Sequence, residues 1–477
     1  MTATGMTATG NRLRYVSTRG GAAAQDFTGV LMAGLASDGG LYLPEAWPQL
    51  APADWQALAG KPYAEAAFRV LRPFTAGALD DAVLARLTAE AYAQFDHAAV
   101  CPLVQIAPSR WLLELFHGPT LAFKDVAMQL LGRLFDHVLT ARGERMTIVG
   151  ATSGDTGSAA IEACRGRDAI DIFILHPHER TSEVQRRQMT CVTDGNVHNI
   201  AVRGTFDDCQ ALVKAMFNDA PFRERMRLSA VNSINWARVM AQVVYYATAA
   251  VALGGPARPV RFSVPTGNFG DVFAGYTAAR MGLPVAGLTV ATNRNDILAR
   301  VFASGSYRKG EVSRTMSPSM DIQVSSNFER LLFDACGRDG AKVAALMQGL
   351  DADGGFELGS LLQQAAPLFT AAAVDEAETL ETIAATHRST GRLIDPHTAV
   401  GVAAAERMAE DAVPMVVLST AHPAKFPDAV ERATGLRPPL PERLADLYER
   451  PERYEVLDAD LAQIQAHVAQ RARIVRE

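Results

Sequence analysis

Apolar positions along the chain change period near residue 100. From 11 to 100 they recur at helical spacing, and the segments 54–58, 63–71 and 80–95 place them behind Asp or Pro starts. From about residue 102, short β-rich runs take over at 146–149, 170–175, 197–202, 260–264, 285–291 and 414–418, alternating with helical stretches. Alternation of this kind predicts an α/β fold with doubly wound parallel sheets. Three regions follow: a helical N-terminal domain over 11–100, a smaller α/β domain over 101–255, and a larger one over 256–477. The last contains an irregular stretch near 304–359 that reads as an insertion. The most membrane-like stretch, 239–253, carries Gln242, Thr248 and two tyrosines and falls short of the ~20 apolar residues a span needs, so it predicts a buried core helix.

Composition narrows the function classes without choosing one. Across 477 residues, 48% are apolar and 21% charged, and the net charge of −6 comes from 46 basic and 52 acidic residues without long runs. Nothing resembles the basic stripe of a nucleic-acid binder. A phosphorylated ligand would therefore depend on local donors. The five cysteines, Cys101, Cys164, Cys191, Cys209 and Cys336, have no CxxC spacing, which speaks against a disulfide framework or zinc site and for reduced thiols in a cytoplasmic protein. Residues 1–5 and 6–10 both read MTATG, a duplicated start context without the features of a signal peptide.

Five segments carry candidate chemistry. The loop 150–157, Gly-Ala-Thr-Ser-Gly-Asp-Thr-Gly, lies between a predicted strand and helix, where free amide N–H groups and a positive dipole end suit an anion. It is neither a Walker A loop nor a good Rossmann fingerprint, and a capped strand-to-helix turn explains it equally well. The loop 266–271, Thr-Gly-Asn-Phe-Gly-Asp, has the same setting, with glycines that let backbone approach a phosphate. Two such loops without a nucleotide signature point to a site holding more than one anionic group.

In Phe-His-Gly-Pro-Thr-Leu-Ala-Phe-Lys-Asp at 116–125, Lys124 is either a snorkelling surface residue or an amine made nucleophilic by apolar neighbours. In Asn-Ser-Ile-Asn-Trp-Ala-Arg at 232–238, Asn232, Asn235 and Arg238 could share a helix face and bind a phosphate, or be a capped helix start with one solvated arginine. Ser-Thr-Ala-His-Pro-Ala-Lys-Phe at 419–426 follows an apolar strand, at the edge where α/β sheets bind ligands, though its His and Lys also read as ordinary loop residues.

Taken in order, these segments resemble threonine synthases of the longer bacterial and fungal type, within the fold type II pyridoxal-phosphate (PLP) enzymes, whose fold is tryptophan synthase β-like. The likeness also includes Tyr-Val-Ser-Thr-Arg-Gly at 15–20, Gly-Leu-Ala-Ser-Asp-Gly-Gly-Leu-Tyr-Leu-Pro-Glu at 34–45, Ser-Pro-Ser-Met-Asp-Ile at 317–322 and Asp-Pro-His-Thr at 395–398. It implies two doubly wound parallel-sheet domains behind a helical N-terminal domain. Lys124 is then the catalytic residue, holding pyridoxal 5'-phosphate as a Schiff base and afterwards shuttling protons. Gly267, Asn268, Phe269, Gly270 and Asp271 cradle the cofactor phosphate, and Thr420 sets a hydroxyl against the pyridine nitrogen. Thr152, Ser153, Asp155 and Thr156 receive the substrate carboxylate. Many fold type II enzymes carry Asn in place of Asp155, so that residue adds a negative charge whose role stays open. Asn232, Ser233, Arg238, Asn268 and Lys425 form the pocket for the substrate phosphate.

The implied reaction converts O-phospho-L-homoserine and water to L-threonine and phosphate in a monomer or homodimer without nucleic-acid or membrane partners. A dehydratase acting on unphosphorylated amino acids would leave the cluster 232–238 without a ligand. A non-catalytic binding protein would have no use for Lys124. The histidines lack metal-ligand spacing, and His117, His176, His178, His397 and His422 read as satisfied loop or core residues.

Overall fold

The apolar runs form the middle strands of two sheets. A computed structural model of the chain describes residues 12–152, 154–408 and 412–475. Five parallel strands make the first sheet, in the order Glu455–Asp458, Val197–Arg203, Ile170–Pro177, Met146–Ala151 and Leu228–Ser229. The second has six strands, in the order Phe369–Ala373, Val285–Thr292, Val260–Pro265, Met415–Ser419, Arg110–Glu114 and Leu103–Ala107. Only the last pair in it is antiparallel.

All eight residues of Ile170–Pro177 and all five of Met415–Ser419 are buried. That pattern belongs to parallel strands covered on both faces by helices, and it explains why these runs are continuously apolar rather than alternating. Neither sheet is one contiguous stretch of sequence. The hairpin 103–114 pairs into the six-stranded sheet, and Glu455–Asp458 returns to the five-stranded one.

The helix Trp236–Ala252 is the structural axis. Fifteen of its residues are buried, so it is apolar on every side, as a helix inside a large core must be. This accounts for the membrane-like stretch. The Asn235 side chain caps it by accepting from the Ala237 amide at 3.0 Å and donates to the Leu31 carbonyl at 2.9 Å. Tyr15, Trp47 and Phe74 gather around the Trp236 ring, with centroids 6.0, 6.2 and 5.7 Å away, and fasten the N-terminal helices to this axis.

Residues 304–359 include the antiparallel strand pair Ser306–Arg308 with Gly355–Glu357, a short turn of helix at Pro318–Met320, and the helices Phe328–Ala335 and Gly340–Ala352. Buried Arg330 ties this excursion to the rest, donating to the carbonyls of Tyr42 at 2.9 Å and Ile234 at 2.6 Å. Among the described residues no helix is long and apolar enough to cross a membrane. The duplicated start lies outside the described residues.

Candidate active site

Four strand ends from the two sheets meet around one cavity of about 510 Å³. Its wall holds Lys124, Thr152, Asp155, Thr156, Asn232, Ser233, Arg238, Thr420 and the whole stretch 267–271. Segments scattered through the sequence are thus brought to one place, at the carboxyl edges of parallel strands. Ser153 lies outside the described residues.

Lys124 opens the helix Lys124–Arg142 and is 8% exposed, which rules out the snorkelling surface role. Backbone pairing places it: the Phe123 amide donates to the Thr420 carbonyl at 2.8 Å, and the His422 amide donates to the Leu121 carbonyl at 3.0 Å. The loop before it is held by Asp125, whose carboxylate accepts from the Thr120 amide at 2.8 Å and the Thr120 hydroxyl at 2.6 Å. Burial lowers the proton affinity of the Lys124 amine; Asp155 opposes that, while Lys425 and Arg238 add to it. An amine so placed is suited to attack an aldehyde.

The loop 266–271 is built to take an anion. Phe269 sits in the left-handed region at φ 63° and turns the chain into the helix Gly270–Arg280. Among the described residues no acceptor takes the amide N–H of Gly267, Asn268, Phe269 or Gly270. Four free amides at a helix N-terminus suit an anion such as a phosphate. Gly267 is required by close approach, since a Cβ there would lie 2.7 Å from the Ser319 carbonyl oxygen. Asn268 is braced from behind, its carbonyl accepting from the Asn327 amide at 3.0 Å.

Asp271 faces the other way. Its Oδ1 accepts from the hydroxyls of Tyr245 at 2.5 Å and Tyr246 at 3.0 Å, and its Oδ2 is buried without a partner among the described residues. Burial pushes its carboxyl up to about 7, against the lowering effect of the two tyrosine bonds.

In the loop 150–157 Thr152 shapes the turn, its hydroxyl accepting from the amides of Gly154 at 3.0 Å and Gly157 at 2.9 Å. Thr156 and Asp155 stand at the start of the helix Asp155–Cys164. Burial would raise the Asp155 pKa, but Lys425 and Lys124 overturn that and hold it far below the usual carboxylate range.

Arg238 is the most telling side chain. It is 5% exposed and lines the cavity, and its Nε has no hydrogen-bond partner among the described residues. Burial pushes its guanidinium down to about 10. A buried cation without a carboxylate is costly unless an anion comes to it.

Two expectations change. Lys425, expected in the phosphate pocket, does not line the cavity: its ammonium is fully buried, 2.7 Å from Asp155 Oδ1, and donates to the Thr120 carbonyl at 2.7 Å. Asn235 is turned away from Arg238 because capping its helix uses its side chain.

The sequence reading did not single out Gln185, Gln210, Lys214 or Ser319. Gln185 donates to Asp155 at 2.9 Å, and the other three line the cavity. Ser319 sits inside the segment 317–322, so its position was available; the other three have no local signal. His397 also reaches the wall, with both ring nitrogens satisfied by Asp395 Oδ2 at 2.7 Å and the Ser319 amide at 3.2 Å. Among the described residues no cluster of His, Cys, Asp and Glu could hold a metal.

A buried amine, a cradle of free amides and a neutral hydroxyl at Thr420 together fit PLP. The comparisons with known proteins agree. A family model described as "Pyridoxal-phosphate dependent enzyme" matches residues 102–420, "Threonine synthase N terminus" matches 14–92, and "Threonine synthase, C-terminal" matches 398–468. Threonine synthase of Pseudomonas aeruginosa is 58% identical over 461 residues, covering 96% of this chain and 98% of the relative. The crystal structure of PLP-bound threonine synthase from Brucella melitensis superposes with a TM-score of 0.95 at 56% identity, over 97% of this chain and 100% of that one. That of the yeast threonine synthase gives 0.92 at 40% identity, over 96% and 99%. The chain belongs to the threonine synthase family of PLP-dependent enzymes.

Proposed function

We propose that the cavity converts O-phospho-L-homoserine and water to L-threonine and phosphate, with Lys124 as the residue that holds the cofactor and moves protons. When bound, pyridoxal phosphate supplies an electron sink that makes protons beside the substrate amine removable. The amides of Gly267, Asn268, Phe269 and Gly270 would hold the cofactor phosphate. The Thr420 hydroxyl would serve as a neutral partner for the pyridine ring. Lys124, with its lowered proton affinity, takes and returns protons at the substrate Cα and Cβ.

The loop carrying Thr152, Ser153, Asp155 and Thr156 receives the substrate carboxylate. Arg238, with Asn232, Ser233 and Asn268, receives the substrate phosphate and stabilises it as it leaves. Enclosing that phosphate also keeps water away until the bond at Cγ has broken. A cytoplasmic monomer or homodimer without nucleic-acid partners completes the proposal, its domains divided near residues 100 and 255 except that 103–114 goes with the larger sheet and Glu455–Asp458 with the smaller. Five free cysteines fit that compartment.

The unpaired Arg238 guanidinium carries this reading, because an unphosphorylated amino acid offers only its carboxylate, which the loop of Thr152 and Thr156 takes, and brings no second anion to Arg238. Replacing Arg238 with Ala tests it. Loss of one charge-assisted bond, worth ~1.5–3 kcal/mol, predicts a fall of roughly 10- to 150-fold in kcat/KM for O-phosphohomoserine. Unchanged turnover would count against a phosphorylated substrate.

A further inference from the structure

Asp155 brings a carboxylate to the wall where Lys124 stands, and its two oxygens are divided between different partners. Oδ1 is 2.7 Å from Lys425 Nζ and accepts from Gln185 Nε2 at 2.9 Å. Oδ2 is 3.4 Å from Lys124 Nζ and 3.3 Å from the Ser319 hydroxyl. The Lys425 side chain has no solvent exposure, and its ammonium also donates to the Thr120 carbonyl. Thr120 in turn binds Asp125, the neighbour of Lys124. Lys425 therefore joins the loop of the catalytic lysine to the loop of Asp155.

We propose that Lys425 is a positioning residue for Lys124: it is the second counter-cation of Asp155, holding one carboxylate oxygen so that the other is turned to Lys124. A carboxylate buried beside Lys124 alone would depend on that one amine for its charge balance, and would be left uncompensated whenever the amine is neutral. With Lys425 in place, Asp155 and Lys425 sum to zero. Asp155 is then a constant acceptor while Lys124 gains and loses protons.

The charged groups facing Lys124 are Asp155, Lys425 and Arg238. Those acting on Asp155 are Lys425 and Lys124, and Asp125 feels Lys425 and Arg443. The proposal rests on Lys124 being the cofactor lysine, but its test reads the amine itself. In the full-length apoprotein, carbamylation of Lys124 by cyanate, followed across pH by peptide mass spectrometry, gives the midpoint at which the amine becomes reactive. Lys425→Met removes a like charge and leaves Asp155 with Lys124 as its sole counter-cation, so the midpoint should rise by about 1–3 pH units. Asp155→Asn should lower it. The double variant, with both charges gone, should return close to the wild-type midpoint.

An unmoved or lowered midpoint in Lys425→Met would overturn the proposal, as would a double variant no nearer wild type than either single one. If Lys425→Met does not fold, folding of the double variant supports the pairing, because it removes an uncompensated carboxylate. Failure of both to fold makes Lys425 a packing residue and ends the proposal. Should the wild-type chain release no phosphate from O-phosphohomoserine, the functional reading fails while these midpoints stand.

Discussion

The Phe123 amide donates to the Thr420 carbonyl at 2.8 Å, so the residue before the proposed cofactor lysine is bonded to the residue whose hydroxyl is proposed to face the cofactor ring. The isolated antiparallel pairing of Ala122 with Ala421 sits at the same place. The amine and the hydroxyl are thereby set by backbone, which moves less than side chains do. Lys124 and Thr420 then answer to one stiff joint between the Lys124 loop and the strand Met415–Ser419.

The cofactor cradle should be sensitive to a single methyl group. In Gly267→Ala the added Cβ would meet the Ser319 carbonyl oxygen at 2.7 Å, and backbone cannot step aside as a side chain can. Strain of ~1–3 kcal/mol placed on the loop should weaken cofactor binding about tenfold or more. Fluorescence titration of the apoprotein with pyridoxal phosphate measures this, and an unchanged Kd would show that the loop does not hold the phosphate.

Thr152→Val keeps the shape of residue 152 and removes the acceptor for two buried amides, those of Gly154 and Gly157. Each orphaned donor costs about 1–3 kcal/mol. The loss falls on the turn that carries Asp155 and Thr156, so KM should rise alongside a lower Tm. Thermal melts paired with steady-state kinetics separate the two effects. A lower Tm with unaltered KM would make the loop purely structural.

Asp271 predicts a pH dependence of stability. Its folded value of about 7 lies above the ordinary 3.8, so the folded chain holds the proton after the unfolded chain has released it. Its contribution to stability is full below about pH 4 and is lost as pH rises through about 7. Asp271→Asn retains an acceptor for Tyr245 and Tyr246 without titrating. Relative to wild type, the Asn variant should gain stability from pH 4 to 7 and level off above. Chemical denaturation of both apoproteins across that range checks the direction, and a difference that does not vary with pH would refute it.

Much of this site was legible because its parts carry local signals. Glycine-rich turns after apolar runs mark strand ends, and the runs at 146–149, 170–175 and 260–264 begin where the strands begin. What was not legible depends on pairing across the fold. A lysine near a strand end, such as Lys425, reads as a ligand for an incoming phosphate; only the folded chain shows a carboxylate already beside it. Gln185 lies in an ordinary amphipathic helix and reaches Asp155 only because Gly154 lets that helix approach, a Cβ there standing 2.4 Å from the Gln185 amide carbon. Likewise, nothing local to 103–114 says which sheet those strands will join.

The most direct test is to follow phosphate and L-threonine together from O-phospho-L-homoserine, in the wild-type holoenzyme and in Lys124→Ala. Equal amounts of both products are expected from wild type. Lys124→Ala should lose the visible absorption band of the lysine-bound cofactor and turn over at least about a thousandfold more slowly, having lost both the covalent anchor and the proton carrier. Threonine formed without phosphate, or a Lys124→Ala enzyme that keeps its rate, would contradict the proposed function.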